Sequence, residues 1–197
     1  MLRLFLLIYT ILFFGGAMIW PSFRTWRATG VNPYRLPGQV GLPGFVGGAF
    51  RLILLALIAL VLLHVAVPGA TAYLGPIVWL QAPLAQGIGV ALLLVAVAVV
   101  VTAQAQMGRS WRIGIDDQHD TALVTRGIFG RSRNPIFLGM RVMLVGLFLV
   151  LPNAATLALW LVGDVLIRTQ VYLEEEHLLR QHGQAYQAYQ QRVRRWI

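Results

Sequence analysis

A helix rising 1.5 Å per residue needs about 20 apolar residues to cross the hydrocarbon core of a bilayer. Five blocks of the chain approach that length: residues 4–20, 50–67, 84–103, 135–151 and 154–173. The second is uncharged apart from Arg51 at its entrance. Only Pro152-Asn153 separates the last two, so the pattern predicts a tight antiparallel hairpin there. After residue 173 the pattern changes. Leu178, His182, Tyr186, Tyr189, Val193 and Trp196 recur at spacings of three and four, with Arg and Gln on the other face. That periodicity predicts an amphipathic helix lying on the membrane or over the ends of the spans, with Gly183 as a kink point. The first block follows one basic residue, Arg3, is close to span length and has no A-x-A-like cleavage site behind it, so it reads as a span rather than a signal peptide. The expectation is an all-α polytopic membrane protein with five transmembrane helices, a hairpin of the fourth and fifth, and a C-terminal amphipathic helix. Residues 1–197 form one domain, with spans one to three in 1–103 and the motif-bearing half in 104–197.

Composition agrees with this reading. The chain is 58% hydrophobic and 12% charged, against about 25% charged in a typical soluble domain. Its mean hydropathy is +0.70. Polar surface is too scarce to cover a soluble globule, which excludes an ordinary cytosolic enzyme, a disordered tail and a secreted disulfide scaffold. Cysteine is absent, so there is no disulfide, thiolate nucleophile or thiolate metal site, and no metal is expected.

The net charge of +9 comes with sixteen basic residues, all Arg. In a soluble protein a pI near 11.2 would point to nucleic acid. Here the arginines alternate by connection. Residues 21–49, 104–134 and the tail are rich in Arg, whereas 68–83 and 152–153 carry no charge. Basic residues accumulate on the cytoplasmic side of membrane proteins. The pattern therefore predicts an N-terminus outside and a cytoplasmic C-terminus in a bacterial inner membrane. Topology accounts for the arginines and no stacking platform accompanies them, so nucleic acid is not an expected partner.

Ionisable residues inside membrane spans are costly and mark function by default. Four stand out: His64, Arg141, Asp164 and Arg168. Asp164 and Arg168 are four apart on one helix face, a natural ion pair, either structural or functional. Arg141 can reach Asp164 or the cytoplasmic mouth, and His64 reads as a hydrogen-bonded helix histidine. Asn134-Pro135 is a good helix start, Asn at the cap and Pro in the first turn. Such an N-terminus also offers amide groups to an anionic ligand. Glu174-Glu175-Glu176 stands where the fifth span leaves the membrane. It is either a solvated run or the source of an inward carboxylate for a cationic group. Glu175 falls on the face of Asp164 and Arg168 while Glu174 points elsewhere, so the two have different tasks.

Three features carry a family resemblance. The first is Leu123-Val124-Thr125-x-Gly127-x-Phe129 followed by Arg133-Asn134-Pro135-Ile136-Phe137. The second is the hairpin of two spans. The third is Glu174-Glu175, then Leu178, Gly183-x-x-Tyr186-x-x-Tyr189 and Val193-Arg194. In their order and spacing, over residues 104–197, they resemble the integral-membrane methyltransferases of the isoprenylcysteine carboxyl methyltransferase and phospholipid methyltransferase group. The resemblance implies S-adenosylmethionine as cofactor, bound between the last two spans and the C-terminal helix. It places Thr121, Ala122, Leu123, Val124, Phe129, Arg133, Asn134, Pro135, Ile136, Phe137, Glu174 and Glu175 at that pocket. Asn134 stands where the group has His, Phe129 and Phe137 where Tyr is common, and Gln170 where a substrate Arg is usual.

The chemistry is consistent with that cofactor. A carboxylate such as Glu174 can hold its amino group, the amides before Pro135 its carboxylate, and Phe129 and Phe137 its adenine or sulfonium. The implied reaction is methyl transfer to a lipid or lipid-like acceptor, including a carboxylate, at the cytoplasmic face. Arg112 and Arg168 are the expected acceptor-binding residues, since a guanidinium grips a carboxylate with two parallel bonds. Two other readings remain open: an NADPH-dependent membrane reductase of related fold, and a small transporter or assembly protein. Transporters place ionisable or broken-helix sites near the midplane, whereas here the polar residues gather at one mouth.

Overall fold

The computed structural model describes residues 1–30, 41–111 and 122–197. Among these the chain is helical throughout, with a lone bridge between Pro76 and Asn153 in place of any strand. The first span is built of α1 (Leu2–Ile11), a π-helical stretch (Leu12–Ile19) containing Gly15-Gly16, and α2 (Trp20–Thr29). Then follow α3 (Leu42–Ala66), α4 (Pro83–Met107), α5 (Pro135–Val150), α6 (Ala154–His182) and α7 (Gln184–Arg192).

Among the described residues, four helical stretches are long and apolar enough to cross a membrane: Leu2–Ala28, Leu42–Ala66, Pro83–Met107 and Ala154–His182. The expected fourth span is α5, which has only 16 residues and so a length of about 24 Å. It is thus shorter than the hydrocarbon core of about 30 Å.

Helix directions alternate. Leu2, His64, Thr71 and Asn153 line one cavity at one end of the bundle. Trp20, Arg24, Gln104 and Trp111 line another cavity at the opposite end. The hairpin turns at Pro152-Asn153 as expected. Asn153 is the N-cap of α6, accepting from the Thr156 amide at 3.0 Å, while its own amide donates to the Thr156 hydroxyl at 3.2 Å. The loop after α3 closes over this turn, with the Ala154 amide donating to the Gly75 carbonyl at 2.9 Å.

The core is apolar, built from Leu6, Phe13, Leu57, Leu93, Ala96, Val100, Leu147 and Val171. Its tightest seam joins α4 to α5. A Cβ on Gly89 would meet the Gly146 carbonyl at 2.8 Å, and one on Gly139 would meet Val100 at 2.5 Å. With lipid as apolar as leucine, such close backbone approach supplies the packing that holds spans together.

The tail departs from the sequence expectation. The fifth apolar block does not stop at residue 173, because α6 continues unbroken to His182. Glu174 to Glu176 therefore sit inside this helix. The break comes at Gly183, whose φ of 50° ends α6 and lets α7 set off at a new angle. Apolar periodicity marks where a helix leaves lipid, but only the backbone marks where the helix ends.

Candidate active site

The motif-bearing segments converge at the end of the bundle opposite the hairpin. Asn134 is the N-cap of α5, as the sequence predicts, yet its side chain makes no cap bond. Its amide donates instead to Glu175 at 2.9 Å. That carboxylate, 4% exposed, is the centre of a clamp. Arg133 donates to it from Nε at 3.2 Å and from Nη2 at 3.1 Å. Arg195 donates from Nε at 3.1 Å and from Nη2 at 2.8 Å. Arg133 also ties down the tail, donating to the carbonyls of Val193 at 2.6 Å and Gln190 at 3.2 Å.

The chain after α7 thereby folds back over the start of α5. The Ser132 hydroxyl donates to the Arg195 carbonyl at 3.2 Å and the Tyr189 hydroxyl to the Phe129 carbonyl at 2.6 Å. Tyr186 and Tyr189 form the buried face of α7, with ring centroids 5.9 Å apart. Burial pushes the Tyr189 hydroxyl up to about 12, with Arg133 opposing and Glu175 adding to the shift. The neighbouring Glu175 carboxylate raises Arg195, chiefly through their hydrogen bonds.

Glu174 has different surroundings from its neighbour. It is half-buried and accepts one bond, from the buried Gln170 amide at 2.9 Å. Glu176 is exposed and paired with Arg180. Of the other expected pocket residues, Phe129 and Pro135 are buried. Leu123, Val124, Ile136 and Phe137 are half-buried, the last two against the core, and Ala122 is exposed. Arg112 and Thr121 lie outside the described residues. Arg168 is exposed and pairs with Asp164 at 2.6 Å, and Asp164 also binds Arg141.

One expectation is corrected by this geometry. The two amides before Pro135 are not free for an anion. The Arg133 amide donates to the Arg194 carbonyl at 3.0 Å and the Asn134 amide to the Ser132 hydroxyl at 3.2 Å. The tail takes one of the two amides that the sequence left open and Ser132 takes the other.

Sequence reasoning also missed two glutamines at the end of α4. Gln104 is buried and donates to the Ala17 carbonyl in the π-helical stretch. Gln106 accepts from the Ile128 amide at 2.8 Å. There Gly127, with φ of 64°, leaves no room for a Cβ, which would come within 2.3 Å of the Gln106 side chain. Two amides closing the apolar run of α4 were the available signal. Arg195 and Ser132 were missed as well, and only the returning tail brings them to Glu175.

Residues 84–185, more than half of the chain, match the phospholipid methyltransferase family model. The chain belongs to this family. Its fold also resembles a solved structure of a eukaryotic intramembrane Ras methyltransferase, isoprenylcysteine carboxyl methyltransferase. The TM-score is 0.56 at 22% identity, covering 94% of this chain and 66% of that one. The chain thus spans just under two-thirds of the length of that structure. No curated protein sequence matches it significantly. Family and fold are those of membrane methyltransferases, and the matched region contains the α5–α6 hairpin and the glutamate pair.

Proposed function

We propose that this family member transfers the methyl group of S-adenosylmethionine to a lipid or lipid-like acceptor at the cytoplasmic face of the membrane. The observation that carries the reading is the unequal state of the glutamate pair at the hairpin end. Glu175 is fully engaged by Arg133, Asn134 and Arg195, whereas Glu174 has a single partner among the described residues, Gln170. A half-buried carboxylate with acceptor capacity left over suits an ammonium group. Glu174 is therefore the residue to hold the cofactor's amino group.

Phe129, Phe137, Leu123 and Val124, with Thr121 and Ala122, are the candidates to enclose the nucleoside. With the amides of Arg133 and Asn134 already used, the cofactor carboxylate falls to the first-turn amides of α5, at Ile136 and Phe137. Arg133 and Glu175 act as positioning residues that fix the start of α5 against α6.

When bound, S-adenosylmethionine supplies an electrophilic methyl group on a sulfonium. What the protein adds is alignment: a displacement gains most from holding the two partners in line. Arg168 and Arg112 are the residues to orient the acceptor. For a carboxylate acceptor no general base is needed. An amine acceptor would require a nearby Asp or Glu to take its proton.

Calorimetric titration of the purified protein with S-adenosylmethionine tests this, with NADPH as the comparator. Binding of S-adenosylmethionine that is lost in Glu174→Ala is the expected result. No heat at millimolar ligand for the wild type, or binding of NADPH in its place, contradicts the proposal.

A further inference from the structure

An ionisable residue inside a membrane span marks function by default, and His64 is the one that the clamp and the arginine pairs leave without a task. It lies half-buried in the last turn of α3, where the sequence reads it as a hydrogen-bonded helix histidine. Among the described residues its side chain makes no hydrogen bond or ion pair. It lines a cavity of about 440 Å³ at the hairpin end of the bundle, within the range of about 300–1,000 Å³ usual for small-molecule sites.

The cavity is walled by the end of α3, the 68–83 connection, the start of α4 and the α5–α6 turn. Backbone bonds tie the connection to the turn. The Ile77 amide donates to the Pro152 carbonyl at 2.9 Å, and the Ala154 amide to the Leu74 carbonyl at 3.1 Å. The wall is therefore preformed, which lowers the cost of ordering it around a ligand. Thr71, Gln81 and Gln86 join His64 in the lining. Their side chains also lack a hydrogen-bond partner among the described residues. Asn153 lines the cavity too, but its carboxamide is already used, by the Thr156 amide and the Leu151 carbonyl. Val78, Leu80 and Leu149 add apolar surface between the polar groups.

The lining contains no Asp, Glu, Lys or Arg. A charged ligand would lose water there and gain no counter-ion. A purely apolar ligand would cover an imidazole, two carboxamides and a hydroxyl without pairing them. A neutral hydroxyl group both donates and accepts, so it can pair with any of the four in either sense. The carbon faces of a polyol can then rest on Val78 and Leu80. We propose that this cavity binds an uncharged, hydroxyl-rich ligand of the sugar or polyol class, held by His64, Thr71, Gln81 and Gln86. Asn153 and Glu174 lie about 30 Å apart along α6, so this site is separate from the glutamate pair and stands apart from the methyl-transfer reading. With the orientation proposed above, it is open to the aqueous phase outside.

Saturation-transfer difference NMR on the full-length protein tests this, in nanodiscs of dioleoyl phosphatidylcholine so that no glycosidic detergent competes. The probes are maltose, gluconate as a hydroxyl-rich anion, and choline as a cation. Wild type is expected to give a saturable signal with maltose and none with gluconate or choline. His64→Leu is expected to weaken maltose about fivefold, the loss of one hydrogen bond, whereas His64→Gln, which can still donate and accept, retains it. Ala72→Trp, an exposed change in the cavity wall, is expected to abolish the signal by filling the space. No saturable maltose signal, an equal signal from gluconate or choline, or an affinity unchanged in both His64→Leu and Ala72→Trp overturns the proposal.

Discussion

Asn134 turns its side-chain NH2 group to Glu175, and its side-chain oxygen makes no cap bond to the helix it begins. The reason is electrostatic. A buried carboxylate between two arginines must have its lone pairs satisfied, and a charge-assisted bond from the NH2 group fixes the side chain's orientation more strongly than a neutral cap bond at its oxygen would. Removing Glu175 would strand Arg133, whose side chain is 10% exposed. Glu175→Gln should therefore destabilise the protein by about 3 kcal/mol or more, read as a fall in unfolding midpoint in detergent. Arg195 is 47% exposed, and Arg195→Ala should cost about 1 kcal/mol or less. Equal effects of the two changes would contradict the view that burial gives the clamp its strength.

Tyr189 adds a pH test. Its hydroxyl is raised by burial to about 12, above the unfolded value of about 10, so the neutral form is the one the fold favours. That contribution is complete below about pH 10 and is lost as pH climbs from about 10 to 12. Tyr189→Phe should flatten the fall in unfolding midpoint over this window. At this scale the sequence was informative about residue type and silent about pairing. Asp164 and Arg168 were legible because helical spacing alone joins them. Arg195 was not, because its partner Glu175 is reached only once Gly183 turns the chain and the tail returns.

At the scale of elements, the five apolar blocks located the first span and α3 to α6 among the described residues, but not every helix end, and α7 lies outside them. The fifth block ends at residue 173 while α6 runs to His182, because hydrogen bonds continue past the point where side chains become polar. The π-helical stretch Leu12–Ile19 left no mark in the apolar pattern, and its contact with Gln104 is a tertiary one.

The α4–α5 seam makes a matched pair of predictions. Gly89→Ala would put a methyl group 2.8 Å from the Gly146 carbonyl, whereas nothing lies within 4 Å of a Cβ at Gly87 in the same helix. Gly89→Ala should cost about 1–3 kcal/mol of stability through overpacking. Gly87→Ala should be neutral or stabilise by up to about 1 kcal/mol through helix propensity. Thermal unfolding of the two variants side by side decides it, and equal midpoints would contradict the close-approach account. At the hairpin, Asn153→Ala removes the side-chain half of the capping box, the bond accepted from the Thr156 amide, and keeps the half made by its own backbone amide; it should cost about 1 kcal/mol.

For the molecule as a whole, the charge pattern and the fold divide the work. The alternation of helix directions agrees with the alternation of Arg-rich and Arg-free connections, and the second of these is the basis of the orientation we propose, with the C-terminus on the cytoplasmic side. Because the chain lacks cysteine, single reporters are clean. Tyr73 and Ile197 are both highly exposed and belong to opposite ends of the bundle. In intact cells a membrane-impermeant maleimide should label Tyr73→Cys and spare Ile197→Cys, and the reverse pattern would contradict a cytoplasmic C-terminus. The candidate site was legible as a neighbourhood, since the motifs of the Arg133–Phe137 stretch, the glutamate pair and α7 do meet at one end. Its internal division was not legible, because which glutamate is engaged depends on the tail.

The central claim is that this end of the bundle moves a methyl group onto a lipid. The most direct test incubates the purified full-length protein with methyl-radiolabelled S-adenosylmethionine and a total lipid extract of its source cells, then separates the phases. Label should pass into the organic phase with wild type and fail to do so with Glu174→Ala, while label that stays in the aqueous phase with wild type would contradict the account.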